Sequence, residues 1–271
     1  MPDRSPISRR RFLKRVVGGA AVLTLGNLAV DAGWLDLTRT QVKLPNWRGG
    51  KVRIGFLTDP HLNSDRALGT ALDALDLIRG EKPDVLLLGG DYLNYFQPRQ
   101  THRLTAFAER ARSLGVPMAT VMGNHDYGCA QVPEISRVFE HHGIHVLRNR
   151  GLDLDGLQIF GYDDGLLGQF DPHALSARQF SHSTIALLHE PDFVRDVPRH
   201  LSLQLSGHSH GGQMCLPFGL PAHTPLGARD YTAGFYEKAP VPLYVSRGTG
   251  TTGPPVRLFC RPEATILDIE A

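Results

Sequence analysis

The chain has 271 residues, of which 41% are hydrophobic and 21% are charged, and its formal net charge is +2. This length allows one substantial core, and the near-neutral charge argues against a protein that binds nucleic acid through a basic surface. Three cysteines without C-x-x-C spacing argue against a disulfide framework and against a cysteine-ligated zinc site. Histidine is more prominent, since 13 are present and several lie in short polar motifs.

An arginine-rich segment opens the chain. Ser8-Arg9-Arg10-Arg11-Phe12-Leu13-Lys14 precedes an apolar stretch from Val16 to Val30, which is shorter than the roughly 20 residues that span a bilayer. A basic head and a short apolar segment predict a signal peptide over residues 1–32, and the pattern resembles a twin-arginine leader. Cleavage after Ala32 and retention as a membrane anchor both stay open. The predicted partner is the twin-arginine translocase, and the predicted location is the periplasm or the inner-membrane surface.

Residues 33–50 show little periodicity and are interpreted as a linker or an irregular first hairpin, which leaves 51–271 as the domain. Apolar runs predict strands and apolar residues at helical spacing predict helices. The predicted order begins with strand 52–57, helix 67–79, strand 85–88, helix 104–114, strand 117–122 and helix 132–142. A hairpin turning at Asp155-Gly156 and strands 184–188, 202–205, 243–246 and 265–269 follow. This order predicts an α/β fold of two packed mixed sheets flanked by helices.

Five polar motifs directly follow predicted strands. They are Asp59-Pro60-His61, Gly89-Gly90-Asp91, Gly123-Asn124-His125-Asp126, the single His189, and Gly207-His208-Ser209-His210-Gly211-Gly212. Ligands of open α/β sheets bind at the carboxyl ends of strands, so these motifs are expected to converge at one edge. Each motif alone also fits a structural role, such as a turn, a helix cap or a core histidine. Convergence of all five is hard to explain by stability.

The residue types in these motifs suit a pair of divalent cations. Carboxylate, imidazole and amide oxygen bind Mn²⁺, Fe, Zn²⁺, Co²⁺ or Mg²⁺. Asp59 and His61 lie two residues apart, as do His208 and His210, so an extended backbone would direct each pair to the same side. A carboxylate can bridge two cations with its two oxygens, and Asp91 is the predicted bridge.

The series of motifs resembles the calcineurin-like metallophosphoesterases. The resemblance implies a four-layer αββα sandwich, in which helices flank two mixed sheets, and a domain that hydrolyses phosphoesters with a metal-bridging hydroxide. It implies that Asp59, His61, Asp91 and His210 bind one cation. Asp91, Asn124, His189 and His208 would bind the other, with Mn²⁺ favoured. His125 would be the catalytic acid, and Asp126 would orient the ring of His125. Many members carry a second acid or an asparagine shortly after the bridging Asp. Here Asp91 is followed by Tyr92, Leu93 and Asn94, and Asn94 is expected to help shape the site.

The segments Ser246–Gly253 and Arg261-Pro262-Glu263 resemble the ending of YaeI-type phosphoesterases. Relatives of this subgroup include enzymes that cleave the pyrophosphate of UDP-2,3-diacylglucosamine in lipid A synthesis. The implied activity is therefore a phosphodiesterase or pyrophosphatase with a phosphoester substrate of lipid or nucleotide type. A broad exported phosphomonoesterase and a metal-binding scaffold without activity are the alternatives.

Two irregular segments, Gly165–Ser183 and Met214–Tyr231, contain apolar residues. They either rim the site and hold an acyl chain or pack as ordinary loops. Arg229 and Arg247 either meet a phosphate or are solvated at the surface.

Overall fold

The structure is a computed structural model that describes residues 14, 33–44, 47–94, 98–130, 132–154, 156–175 and 183–271. The α-helices are α1 (Asp65–Gly80), α2 (Pro98–Arg112), α3 (Asn124–Gly128) and α4 (Val132–His141). The strands of the first sheet are β1 (Asp36–Lys43), β2 (Val52–Leu57), β3 (Val85–Leu88), β4 (Met118–Thr120), β5 (His145–Val146) and β14 (Glu263–Glu270). Those of the second sheet are β6 (Arg150–Leu154), β7 (Leu157–Gly161), β8 (Thr184–Leu187), β9 (Leu203–Ser206), β12 (Gly234–Tyr236) and β13 (Leu243–Val245). A two-stranded hairpin joins β10 (Cys215–Leu216) to β11 (Leu220–Pro221).

Both large sheets are mixed. The first has the order β1-β14-β2-β3-β4-β5, in which β14 is antiparallel to β2 and the remaining pairs are parallel. The second has the order β12-β13-β9-β8-β7-β6, and its two outer pairs are antiparallel. The predicted hairpin is present, with Leu154 opposite Leu157. The predicted architecture of two mixed sheets with helices is therefore confirmed.

The two sheets pack face to face. Phe56 and Leu87 of the first sheet share one apolar cluster with Ile185 and Leu205 of the second. Their neighbours Leu57 and Leu86 point the other way, towards the helices. Strands buried on both faces carry continuous apolar runs, which is why β3 was predictable to the residue; β2 was predictable from the apolar residues on either side of Arg53.

Helices α1, α2 and α4 cover the outer face of the first sheet. Ser64 begins α1, because its hydroxyl accepts the Ala67 N–H at 3.1 Å. Over the second sheet, the outer layer within the described ranges is formed by the 3₁₀ helix Pro191–Arg195 and by irregular segments. That layer is therefore less helical than the four-layer arrangement implies.

The linker interpretation of residues 33–50 needs correction, because Asp36–Lys43 forms strand β1. All eight residues of β1 pair in parallel with Glu263–Glu270. Four of the eight residues of β1 are half-buried and three are exposed, so its sequence lacks the continuous apolar run of an inner strand. The domain consequently begins before residue 51.

The predicted leader falls outside the described residues, apart from Lys14. In the part of the chain that is described, no helix has both the length and the apolar character needed to cross a bilayer.

A buried ion pair links β14 to the loop that follows β13. Glu263 is 2% exposed, and its carboxylate accepts from the Tyr244 hydroxyl at 2.5 Å and from Arg247 Nε at 3.0 Å. Burial opposes ionisation of Glu263, but Arg247 and Tyr244 lower its pKa below the ordinary value. Arg247 also reaches Asp36 of β1 at 3.4 Å. Arg247 therefore belongs to an internal ion-pair network, and the alternative of a solvated surface side chain does not describe it.

Replacing Glu263 with Gln is expected to lower the free energy of unfolding by about 3 kcal/mol, since it leaves Arg247 partly buried without its counter-charge. Because the folded-state pKa is lowered, this stabilisation is present above the unfolded pKa and disappears as pH falls through the folded pKa. Urea unfolding between pH 7 and pH 3 measures both effects. Glu270→Gln, in the same strand, is the matched control, because its pairs with Lys43 and Lys51 are exposed and contribute little. Equal losses in the two variants would contradict the prediction.

Candidate metal centre

The five predicted motifs meet at the carboxyl ends of strands from both sheets. Asp59 and Asp91 follow β2 and β3, and Asn124 opens α3 after β4. From the second sheet, His189 follows β8 and His208 follows β9. The convergence predicted from strand ends is present in the structure.

Six of the predicted ligands form two groups of three, and within each group the potential ligand atoms lie within 4.8 Å of one another. The first group is Asp59, His61 and His210; the second is Asp91, His189 and His208. All six side chains are buried. This is the division that the family resemblance implies.

Asp91 lies at the junction of the two groups. Its Oδ2 is 3.2 Å from His189 Nε2 in its own group and 3.7 Å from His61 Nε2 in the other. Its Oδ1 accepts the backbone N–H of His125 at 2.9 Å. Asp59 Oδ1 also reaches across, at 3.9 Å from His189 Nε2. The position of Asp91 fits a ligand shared by two cations.

The backbone brings these side chains together by a route that differs from the predicted one. Asp59, His61, Asp91, His208 and His210 all have positive φ, between 43° and 67°. They are therefore not extended strand ends with side chains alternating at spacing two. Non-glycine residues in this region are uncommon and cluster at functional sites. Five such residues in one centre indicate that the loops are shaped for ligand geometry at a cost in backbone energy.

Hydrogen bonds fix which ring nitrogen of two histidines faces the centre. His189 Nδ1 donates to the Gly89 carbonyl at 2.7 Å, and His208 Nε2 donates to the Leu226 carbonyl at 2.8 Å. Each ring then presents its other nitrogen as a lone-pair donor. Such carbonyl partners are typical of metal-binding histidines, because they set the tautomer and the ring orientation.

The electrostatics favour neutral imidazoles in most of the centre. Burial lowers the pKa of His61 to about 3 and that of His208 to about 4, and it lowers the pKa of His210 well below its ordinary value. Burial also acts to lower the pKa of His189, but the charges of Asp91 and Asp59 raise it well above the ordinary value. Cation binding at the second group therefore competes with a proton on His189.

The residues present fit a pair of divalent cations. Asn124 Oδ1 is buried and has no hydrogen-bond partner among the described residues. It follows Gly123, where an added Cβ would lie 2.7 Å from His189 Nε2. In the first group, His61 Nε2 and His210 Nε2 face each other at 3.0 Å. Oxygen and imidazole donors grouped in this way are the ligands expected for Mn²⁺, Fe or Zn²⁺.

His125 lies at the edge of the centre and is less buried than the six Asp and His ligand residues. Its ring packs edge-to-face on His61, with 5.0 Å between centroids. The position allows contact with a substrate that approaches the first group.

The predicted orienting role of Asp126 needs correction. Its carboxylate is fully buried and accepts backbone N–H groups of Asp91, Tyr92, Leu93 and Gly123, at 2.8–3.2 Å. These four bonds occupy both oxygens. Asp126 therefore ties the loop after β3 to the loop after β4, and it positions Asp91 rather than the ring of His125.

Replacing Asp126 with Ala is expected to reduce the free energy of unfolding by about 3 kcal/mol, because four buried N–H groups lose their acceptor. Metal affinity is expected to fall about 10–100-fold, as for other residues that hold ligands in place. Thermal unfolding and a competitive metal titration measure the two effects. Asp84→Ala is the control, because Asp84 accepts a single N–H in an exposed position. Full stability combined with slow turnover would instead restore the predicted link to His125.

Arg257 was not identified from the sequence. It is fully buried, and its guanidinium donates to the carbonyls of Arg247, Gly248 and Gly250, and to that of His210 at 3.2 Å. It thereby joins the segment that resembles YaeI-type proteins to the last ligand motif. No local pattern around Arg257 indicates this role, because its partners are backbone groups of distant loops.

The profile of the calcineurin-like phosphoesterases matches residues 52–212, which contain all seven predicted metal ligands. With the two sheets and the paired ligand groups, this match shows that the chain belongs to the calcineurin-like metallophosphoesterase family.

Full-length relatives agree with this assignment. The chain is 32% identical to the uncharacterized metallophosphoesterase YkuE of Bacillus subtilis, over 98% of each chain. It is 30% identical to the phosphodiesterase YaeI of Escherichia coli, over 97% of this chain and 99% of that one. An uncharacterized metallophosphoesterase of Aquifex aeolicus is 28% identical over 84% of this chain and 88% of the relative. The similarity to YaeI-type proteins therefore extends from end to end.

Proposed function

We propose that the protein is a phosphodiesterase or pyrophosphatase that requires two divalent cations, with Mn²⁺ favoured, and acts on a lipid-linked or nucleotide phosphoester. The observation that carries this proposal is the pair of buried ligand groups with Asp91 at their junction and His125 at their edge. The similarity to a protein named phosphodiesterase YaeI supports a diester over a monoester.

The proposed site assigns a function to each side chain. Asp59, His61, Asp91 and His210 hold one cation, and Asp91, Asn124, His189 and His208 hold the other. Such a cation pair supplies charge that polarises phosphoryl oxygens and lowers the pKa of a water molecule. Carbonyl partners hold the rings of His189 and His208 in the binding tautomer. His125 stabilises charge on the leaving oxygen and donates a proton to it.

Comparing bis-p-nitrophenyl phosphate with p-nitrophenyl phosphate tests the reaction class, after loading the protein with Mn²⁺, Fe²⁺, Zn²⁺, Co²⁺ or Mg²⁺ in turn. We expect the diester to be hydrolysed faster, with Mn²⁺ giving the highest rate. Preference for the monoester would favour a broad phosphomonoesterase. Absence of both activities in metal-loaded protein would favour a binding scaffold.

UDP-2,3-diacylglucosamine is an example of the proposed substrate type, and an assay with this compound would say most about the biological role. Hydrolysis of its pyrophosphate at a kcat/KM well above that for UDP-glucose would support recognition of the acyl chains. Equal values for the two compounds would favour a nucleotide substrate without lipid specificity.

We also propose that residues 1–32 direct export through the twin-arginine route and place the domain in the periplasm or at the inner membrane. The filled arginine pattern supports this proposal. Replacing Arg9 and Arg10 together with Lys is expected to leave the protein in the cytoplasm of a Gram-negative host, as measured by fractionation. Replacing Arg11 with Lys is the control, since this position of the pattern is variable. Unchanged export of the double variant would exclude the route.

A further inference from the structure

A short hairpin after the last ligand motif exposes apolar side chains. Strands β10 and β11 pair antiparallel, with Leu216 opposite Leu220, and a 3₁₀ turn at Pro217–Gly219 forms the tip. Leu216 and Leu220 are 56% and 59% exposed, and Phe218 at the tip is fully exposed. We call residues 214–222 the apolar hairpin. Exposed apolar groups that are contiguous mark interaction surfaces more often than isolated ones do.

The apolar hairpin lies in a segment without formal charge. Between Gln213 and Arg229 the sequence contains no Asp, Glu, Lys or Arg. Transfer of ionised side chains into a lipid phase is costly, whereas Phe and Leu enter it readily. A projecting tip of this composition is better suited to insertion into the apolar region of a lipid bilayer than to docking against a protein surface with a polar rim.

The base of the hairpin is connected to Trp34, near the start of the described domain, through the segment from Leu258 to Arg261. Its base is bonded to Leu258, whose carbonyl accepts the Cys215 N–H at 2.9 Å. Three residues further along, the guanidinium of Arg261 lies 4.3 Å from the centre of the Trp34 ring. Trp34 is 55% exposed, and the apolar stretch Val16–Val30 ends shortly before it. Trp34, which follows this stretch in the sequence, therefore contacts the same C-terminal segment that binds the base of the apolar hairpin.

The same segment borders the metal centre. The hairpin begins just after His210-Gly211-Gly212, and the Leu226 carbonyl that follows it accepts from His208 Nε2 at 2.8 Å. A surface bound by the hairpin would thus lie beside the ligand loops.

We propose that the apolar hairpin is a membrane-docking element that inserts Phe218, with Leu216 and Leu220, into the interfacial region of a lipid bilayer. Insertion of the hairpin holds the rim of the metal centre close to the lipid. This inference concerns binding alone and does not depend on the proposed catalytic activity.

A fluorophore at the tip tests the proposal. The full chain carries Phe218→Cys in a Cys129→Ser background, labelled with nitrobenzoxadiazole; Cys215 and Cys260 are buried. Vesicles of phosphatidylethanolamine and phosphatidylglycerol are then added. The matched control is the same label at Leu77→Cys, since Leu77 is an exposed leucine on α1. Docking predicts a blue shift and quenching by spin-labelled lipid at position 218 and neither change at position 77.

Two further measurements separate the hairpin from other causes. Adding Leu216→Ser and Leu220→Ser is expected to abolish the shift at position 218, even where the N-terminal segment keeps the protein on the vesicles. A probe at 218 that stays unshifted while the chain co-sediments with vesicles, or a chain that does not bind them, would overturn the proposal. A shift that grows with protein concentration without vesicles would overturn it in favour of contact between two copies.

Discussion

Replacing His125 with Ala is expected to lower kcat about 10²–10⁴-fold, the usual contribution of a positioned general acid, while metal content stays unchanged. The structure supports this separation, because His125 contacts the centre through its ring edge on His61 and is not a member of either ligand group. Its backbone N–H, which holds Asp91 Oδ1, is retained by Ala. Metal analysis and steady-state kinetics on the same sample measure both parts.

The leaving group provides the sharper test of the same prediction. A proton donor matters most when the leaving alcohol is a weak acid, so the loss should be larger for an alkyl ester than for a p-nitrophenyl ester. His145→Ala is the matched control, since His145 is exposed on β5. An equal loss on both esters would show that His125 stabilises charge without donating a proton. Full activity on every ester would contradict a catalytic role.

Replacing Asp91 with Asn is expected to have a different outcome, in which metal and activity are lost together. Asp91 Oδ2 lies at the junction of both ligand groups, and an amide there brings either a neutral oxygen or an N–H donor. We expect metal affinity to fall by more than the roughly 100-fold seen when supporting residues are removed, and activity to fall to background.

Metal content after dialysis and a Mn²⁺ titration monitored by activity measure the effect of Asp91→Asn. Asp65→Asn is the control, because Asp65 is an exposed carboxylate that pairs with Arg103 on the helical side. Circular dichroism distinguishes loss of metal from loss of the fold. A variant that keeps both cations would show that Asp59, which also reaches across the centre, is the bridging carboxylate.

The sequence predicted those parts of the fold that depend on local patterns. Strand β3 is buried on both faces and is an unbroken apolar run, and β2 is buried and largely apolar after Arg53. Strand β1 was missed because it is only half-buried and its partner, β14, lies near the other end of the sequence. The short helix α3 was missed because its residues form a ligand motif whose helical turn depends on the loop that Asp126 holds.

The centre was predictable in its residue types and its place in the sheets, because strand ends and metal-ligand chemistry follow general rules. The way the backbone presents Asp59 and His61 was not predictable, since positive φ depends on the surrounding loops. The same holds for Asp126 and Arg257, whose hydrogen bonds go to backbone groups far away in sequence. The two irregular segments differ in how their apolar residues pack. In the first, Phe170 packs on Tyr162 and Phe193 as an ordinary loop residue does. In the second, Phe218 is exposed.

The arrangement of β1, β14 and β2 has a consequence for the order in which the molecule is made. Within the described ranges, strand β1 pairs with β14 alone, and Asp36 lies opposite Glu263. The ribosome must therefore synthesise every helix and the whole second sheet before β1 finds its partner. Contacts between such distant segments form slowly, because a long loop must close first. The first sheet therefore stays incomplete at its β1 edge until synthesis of the described chain is almost finished.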